Sequence, residues 1–223
     1  MKICLIGCGK MGSSLLEGWS SLKVIKHITI IEPNLDEIPS KLLNIKSFNF
    51  YKTIEEAENF SFDMTILAVK PQVMEVVLKQ ISNLNFISDS WLSIAAGLTV
   101  KFFENVLGNN QQIIRTIPNT PASIKKGVTA IYFNTNCINK TINQSILLMK
   151  AVGEAVRVDD ENLMDAYTAV SGSGPAYIFY FVEAIISAAK EMGINEKNAR
   201  ILAEKTLIGS AYLLENTQAR AQD

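Results

Sequence analysis

The chain has 223 residues, of which 48% are hydrophobic and 19% are charged, so it can form the core of one or two soluble domains. The formal net charge is −1 and no basic stripe is visible, which argues against nucleic acid as a partner. Three scattered cysteines and a single histidine, His27, argue against a disulfide framework and most histidine-based chemistry, and we expect no metal site.

The predicted elements alternate between strands and helices as far as residue 158. Apolar, β-branched runs predict strands at 2–6, 27–31, 64–69, 91–94, 113–115, 128–133 and 154–158. Apolar residues at helical spacing predict helices at 13–20, 73–81, 100–107 and 138–152, and Thr53, as an N-cap before two acids, predicts another at 53–60. This alternation is typical of an α/β fold with a doubly wound parallel sheet of the Rossmann type.

The pattern changes after residue 158, where helices are predicted at 162–169, 175–192 and 196–214. We therefore expect an α/β domain over residues 1–158 and an all-helical domain over residues 159–223. Ser173 is the expected N-cap of the second helix and Pro175 lies in its first turn. That helix is apolar almost all round, and a helical domain of about 60 residues is too small to cover it alone. We therefore expect a homodimer or a higher homo-oligomer.

The apolar helix predicted at 175–192 is also relevant to the cellular location of the protein. Its apolar run is interrupted by Glu183 and falls short of the roughly 20 residues that span a bilayer. The apolar run at the N-terminus is only a few residues long, too short for a signal peptide. We therefore expect a cytoplasmic protein without a membrane partner.

A Gly-x-Gly-x-x-Gly turn over residues 7–12 follows the first strand and opens the first helix. In this context Gly7 permits the tight turn, Gly9 lets the backbone approach a pyrophosphate, and Gly12 lets the helix pack on the sheet. The phosphates would bind to N–H groups at the positive end of the helix. A turn with only a folding role is the disfavoured alternative, because glycines weaken helices and strands unless something requires them.

Glu32 ends the second strand, where a carboxylate accepts from the ribose 2′-OH of NAD and repels the 2′-phosphate of NADP. A solvated loop acid is the alternative. The turn after Glu32 carries no arginine, although Lys26 or Lys41 could reach a phosphate. The sequence therefore favours NADH slightly and leaves NADPH open.

Four further motifs follow in order: Ala-Val-Lys-Pro at 68–71, Ser-Ile-Ala-Ala-Gly at 93–97, Arg-Thr-Ile-Pro-Asn-Thr-Pro-Ala at 115–122, and Val-Ser-Gly-Ser-Gly-Pro-Ala-Tyr at 170–177. With the N-terminal turn, this set resembles the pyrroline-5-carboxylate reductase family over nearly the whole chain. The resemblance implies a dinucleotide-binding domain, a helical dimerisation domain, and reduction of 1-pyrroline-5-carboxylate to L-proline by hydride from NADPH or NADH. That reaction needs no covalent nucleophile, and we assign no catalytic residue.

The resemblance also implies where the ligands bind. The turn would contact the pyrophosphate, two strand ends would contact the nicotinamide half, and one acid would lie near the bound amino acid. The residues are Ile6, Gly7, Cys8, Gly9, Lys10 and Met11 for the pyrophosphate, Ala68, Val69, Lys70, Pro71, Ile94, Ala95 and Ala96 for the nicotinamide half, and Glu161 for the substrate. Simpler interpretations stay open: a surface lysine, a tight turn of small residues at 93–97, and an acidic cap at 159–161.

Arg115 has two interpretations. Its guanidinium could hold the substrate carboxylate through paired hydrogen bonds. The favoured interpretation is a structural ion pair that holds the proline-rich loop over residues 118–121.

The resemblance is incomplete at the C-terminus. Members of the family continue with a Ser-Pro-Gly-Gly-Thr-Thr loop and a further helix, which supply the substrate-carboxylate cradle, whereas this sequence stops at residues 219–223. We therefore expect a truncated helical domain, from a trimmed chain, a short gene product or an inactive homologue. Two rivals stay open: a reductase of another imine or of a 3-hydroxy acid, for which Lys190 is the candidate base, and an inactive nucleotide-binding dimer.

Overall fold

The structure is a computed structural model and describes residues 1–217. Residues 219–223, to which the expectation of a truncated domain refers, lie outside the described residues. The chain divides into two compact units, residues 1–172 and residues 173–223. The predicted domain boundary between residues 158 and 159 stays a prediction, because a compact unit and a family domain need not share their limits.

The strands of the first unit include all seven that the sequence predicts. They are β1 (Lys2–Ile6), β2 (His27–Ile31), β3 (Phe48–Tyr51), β4 (Ser61–Phe62), β5 (Met64–Leu67), β6 (Ile87–Ser88), β7 (Trp91–Ser93), β8 (Ile113–Ile117), β9 (Gly127–Phe133) and β10 (Gly153–Val158). The helices of this unit are α1 (Lys10–Trp19), α2 (Ser40–Leu43), α3 (Pro71–Ser82), α4 (Val100–Leu107), α5 (Asn139–Lys150) and α6 (Met164–Tyr167). A 3-10 turn, Glu161–Leu163, precedes α6 and a π-helical turn, Thr168–Gly172, follows it.

Eight strands form one sheet in the order β10-β9-β8-β7-β5-β1-β2-β3. Every neighbouring pair is parallel except β8 and β9, so the predicted doubly wound sheet is confirmed with one antiparallel pair. Residues 118–126 join β8 to β9, and a parallel return needs a connection of about a dozen residues or more. The strand order reverses beside β1, which places a ligand crevice at the carboxyl ends of β1 and β5.

Different helices cover the two faces of the sheet, and β1 shows the alternation. Ile3 and Leu5 belong to an apolar cluster with α1 and α5, whereas Cys4 and Ile6 belong to a second cluster with α3 and α4. All four side chains are buried. Burial of a large apolar side chain contributes about 1.5–3 kcal/mol, so β1 and the turn that follows it are firmly placed.

The segment around residues 48–62 differs from the prediction. The structure forms β3 and the short β4 there, and the helix predicted at 53–60 with Thr53 as N-cap is wrong. Only one 3-10 turn, Glu55–Ala57, forms, and its N-cap position is Ile54. Asn59 has a positive φ of 65°, which a continuing helix does not allow.

The second unit contains α7 (Gly174–Glu191) and α8 (Glu196–Thr217), which confirms the helical C-terminal region over the described residues. Ser173 holds the N-cap position of α7 as predicted, but its side chain makes no capping hydrogen bond. Near the end of α7 the Lys190 ammonium lies 3.4 Å from a Glu196 carboxylate oxygen. By length and composition alone the helical stretch Glu161–Glu191 could cross a membrane, so the expectation that the apolar run falls short of a span is wrong.

Candidate functional site

The backbone of the turn between β1 and α1 separates the roles of its three glycines. Gly7 has a φ of +93°, and a Cβ there would lie 2.8 Å from the Ala68 carbonyl oxygen. A Cβ on Gly12 would lie 2.5 Å from the Gly7 carbonyl oxygen. A Cβ on Gly9, by contrast, would meet no atom within 4 Å. The fold therefore requires Gly7 and Gly12, whereas the open space at Gly9 fits the close approach of a ligand.

The N-terminus of α1 suits an anion. Gly9 is its N-cap residue, no side chain caps it, and its first turn carries no acid. The Ser13 hydroxyl donates to the Cys8 carbonyl oxygen at 2.9 Å and so braces the turn from inside. The first N–H groups of a helix lack partners within the helix and carry its positive end, so the chain fits the pyrophosphate of a dinucleotide here.

Glu32 lies beside this turn and is held there by backbone groups. The Cys8 N–H donates to Glu32 Oε2 at 2.7 Å, and the Asn34 N–H donates to Oε1 at 3.0 Å. Burial raises the pKa of the Cys8 thiol, and the nearby Glu32 charge raises it further against the lowering effect of Ser13. Two backbone N–H groups therefore fix the Glu32 carboxylate beside the turn, and its predicted contact with a ribose stays a prediction.

A cavity of about 530 Å³ opens at the carboxyl ends of β1, β2 and β5. It brings together seven of the predicted cofactor residues: Ile6, Gly7, Gly9, Glu32, Ala68, Val69 and Lys70. It also brings in residues that the sequence reasoning missed, namely Ile31, Pro33, Lys52, Thr53, Ile54, Glu55, Val73, Val77 and Gln80. Four of these follow β3, so recognising that strand would have placed them at the same edge of the sheet.

A second cavity, of about 700 Å³, lies on the other side of the turn. Its lining includes three predicted residues, Gly9, Lys10 and Met11, and two residues from the loop after β8, Thr120 and Ser123. The proline-rich motif and the glycine-rich turn, far apart in sequence, therefore line one space.

The remaining predicted cofactor residues line neither cavity. Gly12 and Cys8 are buried, and Pro71 is the exposed first residue of α3. Ile94 follows β7, and its N–H donates to the Leu67 carbonyl oxygen at 3.1 Å, beside the end of β5. Ile94, Ala95 and Ala96 thus follow β7 beside the carboxyl end of β5, and their contact with a nicotinamide stays a prediction.

Arg115 forms an ion pair, as the favoured interpretation expects, but its partner is Glu161. Arg115 Nη1 lies 2.6 Å from Glu161 Oε1, and the Arg115 side chain is only 4% exposed. The same Oε1 accepts the Val100 N–H at 2.6 Å. The predicted acid at the substrate site is therefore tied to the sheet and to the start of α4.

Asn119, rather than Arg115, holds the proline-rich loop. Its Oδ1 accepts the Val128 N–H at 2.9 Å, and its Nδ2 donates to the Ser171 carbonyl oxygen at 3.0 Å. These two bonds fix the orientation of the amide, since only the nitrogen can donate. Asn119 is buried and links the proline-rich motif at 115–122 to the π-helical turn Thr168–Gly172, which overlaps the start of the motif at 170–177. No local sequence pattern signals this role.

Family profiles match both parts of the chain. A profile described as pyrroline-5-carboxylate reductase dimerisation matches residues 161–223. A profile described as NADP oxidoreductase, coenzyme F420-dependent, matches residues 2–97.

Similar proteins agree with these matches. A pyrroline-5-carboxylate reductase of Methanosarcina acetivorans is 34% identical over 97% of this chain and 80% of the relative. A pyrroline-5-carboxylate reductase structure from Coxiella burnetii superposes with a TM-score of 0.85 at 28% identity, covering 98% of this chain and 81% of that one. A Plasmodium falciparum pyrroline carboxylate reductase with NADP bound gives a TM-score of 0.80 at 26% identity, covering 100% and 81%. The sequence identity and its coverage of both chains show that this protein belongs to the pyrroline-5-carboxylate reductase family.

Proposed function

We propose that this chain reduces 1-pyrroline-5-carboxylate to L-proline with NADH or NADPH. The observation that carries this proposal is the uncapped N-terminus of α1 behind a turn with open space at Gly9, in a chain related to named reductases. The bound NAD(P)H supplies the hydride that reduces the C=N bond. The protein must bind and orient two ligands and exclude water, which needs no nucleophilic side chain.

The roles of the side chains follow from their places. N–H groups of the turn and of α1 bind the pyrophosphate. The small side chains of Ala68, Ala95 and Ala96 leave room for a flat ring at the ends of β5 and β7. Glu161 holds a negative charge near the ring nitrogen of the substrate. The thiols take no part, because burial raises the pKa of Cys4, Cys8 and Cys137, that of Cys137 to about 11, and so keeps them protonated.

An absorbance assay tests the activity. The purified chain is mixed with NADH or NADPH and 1-pyrroline-5-carboxylate, and consumption of the reduced cofactor is followed together with formation of proline. We expect turnover that depends on both reactants. Cofactor binding without turnover would refute the proposed reaction and favour the nucleotide-binding dimer, and turnover of a 3-hydroxy acid with NAD in place of the imine would favour the other rival.

The cofactor preference depends on Glu32. Its carboxylate is held by two backbone N–H groups and cannot turn away, so it accepts from the ribose 2′-OH and repels a 2′-phosphate. Lys52 and Lys70 line the same cavity and are the cations that a 2′-phosphate could meet, in place of the predicted Lys26 or Lys41. Lys41 is paired with Glu17 at 2.9 Å. We therefore expect NADH to bind more tightly than NADPH.

The variant Glu32→Gln tests whether Glu32 is a ribose ligand or only a solvated loop acid. Glutamine keeps an oxygen for one backbone N–H but loses the charge, so the affinity for NADH should fall relative to NADPH. Lys52→Gln is the matched change in the same cavity and should leave NADH binding unaltered. An unchanged NADH to NADPH ratio in Glu32→Gln would show that Glu32 is not the ribose ligand.

The oligomer is a homodimer in this proposal. Large apolar side chains lie exposed on the helical unit, among them Phe179 at 68% and Tyr180 at 80%. An apolar surface of this kind marks an interaction site, and the dimerisation profile covers these residues. A second copy covers the surface that would otherwise suit a membrane, and the protein is cytoplasmic. Recovery of the chain in the membrane fraction of its cells would refute this location.

A further inference from the structure

Arg115 is a charged residue inside the sheet. It lies on β8, in register with Ser93 of β7 on one side and Tyr132 of β9 on the other. Ser93 directly precedes Ile94, so Arg115 belongs to the edge of the sheet that carries the predicted nicotinamide segment. Burial raises the pKa of Tyr132 most, the charges of Glu161 and Asp160 raise it further, and Arg115 lowers it. The four groups therefore form one electrostatic cluster within the first unit.

Structural support alone is a poor explanation for this arginine. Arg115 Nε is buried and has no hydrogen-bond partner within residues 1–217. A buried donor without a partner destabilises the folded state, because it has lost its hydrogen bonds to water. Replacing a buried ion pair with apolar residues of similar volume is often neutral or stabilising, so a charge kept here at a cost in stability needs another explanation.

The geometry of the Glu161 carboxylate supplies that explanation. Both donors, Arg115 Nη1 and the Val100 N–H, bind the same oxygen, Oε1, at 2.6 Å. The other oxygen, Oε2, has no hydrogen bond to any described residue. The Glu161 side chain is 25% exposed, against 4% for Arg115. The carboxylate is thus fixed through its inner oxygen and keeps its outer oxygen free to accept.

We propose that Arg115 is a positioning residue that fixes Glu161 so that Oε2 accepts the N–H of a cationic cyclic amine or imine. This proposal rests on the proposed function, because it deepens the role of Glu161 at the same site. The guanidinium balances the Glu161 charge from the buried side, and the ring nitrogen of the ligand meets it from the open side. A hydrogen bond between two charged groups is about twice as strong as a neutral one, so its loss should weaken substrate binding selectively.

Two variants test this arrangement while they keep a hydrogen-bonding side chain at each of the two positions. In Glu161→Gln the carbonyl oxygen of the amide must face the two donors, so its NH₂ group takes the place of Oε2 and presents a donor where the substrate needs an acceptor. In Arg115→Lys the charge stays, but a flexible ammonium replaces the planar guanidinium whose Nη1 holds Oε1 at 2.6 Å. Glu154→Gln and Arg157→Lys make the same changes on exposed positions of β10 and serve as matched controls.

The measurements are KM and kcat for 1-pyrroline-5-carboxylate, the Kd for NADH, and the Kd for L-proline by calorimetry. We expect Glu161→Gln to raise KM and the proline Kd about tenfold or more, the loss of one charge-assisted hydrogen bond, with the NADH Kd within about twofold of wild type. Arg115→Lys should raise KM by a smaller factor, and this effect should vanish in the double variant with Glu161→Gln.

The outcomes separate this proposal from the proposed function. If Arg115→Lys raises KM, lowers kcat and weakens NADH binding together in both backgrounds, or lowers only the Tm, Arg115 is structural and the positioning role is refuted. If wild type turns over the substrate and Glu161→Gln behaves like Glu154→Gln, the reaction stands and the positioning role falls. If wild type shows neither turnover nor proline binding, both proposals fail.

Discussion

Replacing Gly9 or Gly12 with alanine should produce opposite phenotypes, although the two glycines belong to one motif. In the structure, a Cβ on Gly9 meets nothing within 4 Å, and Gly9 has an ordinary φ of −66°. Alanine therefore fits the fold, and the stability of Gly9→Ala should equal that of wild type within about 0.5 kcal/mol. The added methyl group enters the space that a pyrophosphate must approach, so the affinity for NADH and NADPH should fall.

The size of that fall follows from the hydrogen bonds at risk. Hydrogen bonds to a charged group contribute about 1.5–3 kcal/mol each, so displacing the pyrophosphate from one turn N–H should weaken binding about 10- to 100-fold. In Gly12→Ala, by contrast, the new Cβ would lie 2.5 Å from the Gly7 carbonyl oxygen, a backbone atom that cannot rotate away. Overpacking of this kind costs about 1–3 kcal/mol, which lowers the Tm by about 2–12 °C in a chain of this size.

Thermal unfolding and fluorescence titration with NADH measure the two effects separately. Gly209→Ala is the matched control, because this glycine lies in α8 and its added Cβ also meets nothing within 4 Å. It should gain stability and bind the cofactor like wild type. If Gly9→Ala binds NADH as tightly as Gly209→Ala does, the turn is not the pyrophosphate site, and the assignment of the crevice is wrong.

Three further predictions concern the rest of the chain. Burial raises the pKa of Cys137 from 9.0 to about 11 and also raises that of Cys4, so the native state keeps protons that the unfolded chain loses. The Tm should therefore fall as the pH rises from about 9 toward 11, and it should fall less steeply in Cys137→Ala. Tyr180→Glu should convert the homodimer into monomers, measured by light scattering, whereas Val76→Glu on α3 should not, and an unchanged mass for Tyr180→Glu would contradict the proposed interface. Trp19→Phe removes a buried indole N–H that donates at 2.9 Å to a carbonyl of α5, and denaturant titration should show about 1–3 kcal/mol of lost stability.

The parts of the fold that the sequence predicts well are those whose signal is local. The bounds of β1, β2 and α4 agree with the prediction to the residue, because each has a continuous apolar run or helical spacing with clear ends. In β3 the run Phe48–Tyr51 includes Asn49 and is only four residues long, so it gives no comparable signal. The helix predicted at 53–60 is wrong because the acids that suggested a helix N-terminus stabilise a turn instead. The Glu56 carboxylate accepts the Lys52 N–H at 2.8 Å.

In the candidate site, too, the sequence predicts the features with a local signal and misses those that depend on distant residues. The glycine-rich turn acts through backbone geometry, and Gly7 and Gly12 are required by contacts within a few residues or at the neighbouring strand, so a short motif reveals them. The pairing of Arg115 with Glu161 joins residues far apart in sequence, and each alone has several ordinary explanations. The sequence could name both residues but could not pair them, because their contact forms only when the folded sheet brings the segment after β10 to the Arg115 side chain.

The antiparallel β9 has a consequence for the chemistry of this edge. In a fully parallel sheet β9 would begin at the opposite edge and end beside β8 at the carboxyl edge. Here it begins at the carboxyl edge, and the loop that joins it to β8 stays there, so Asn119 and Thr120 lie at the same edge as the glycine-rich turn. The reversal also places Tyr132 opposite Arg115. The short connection excludes a parallel return and therefore brings the proline-rich motif to the edge of the sheet that carries the glycine-rich turn.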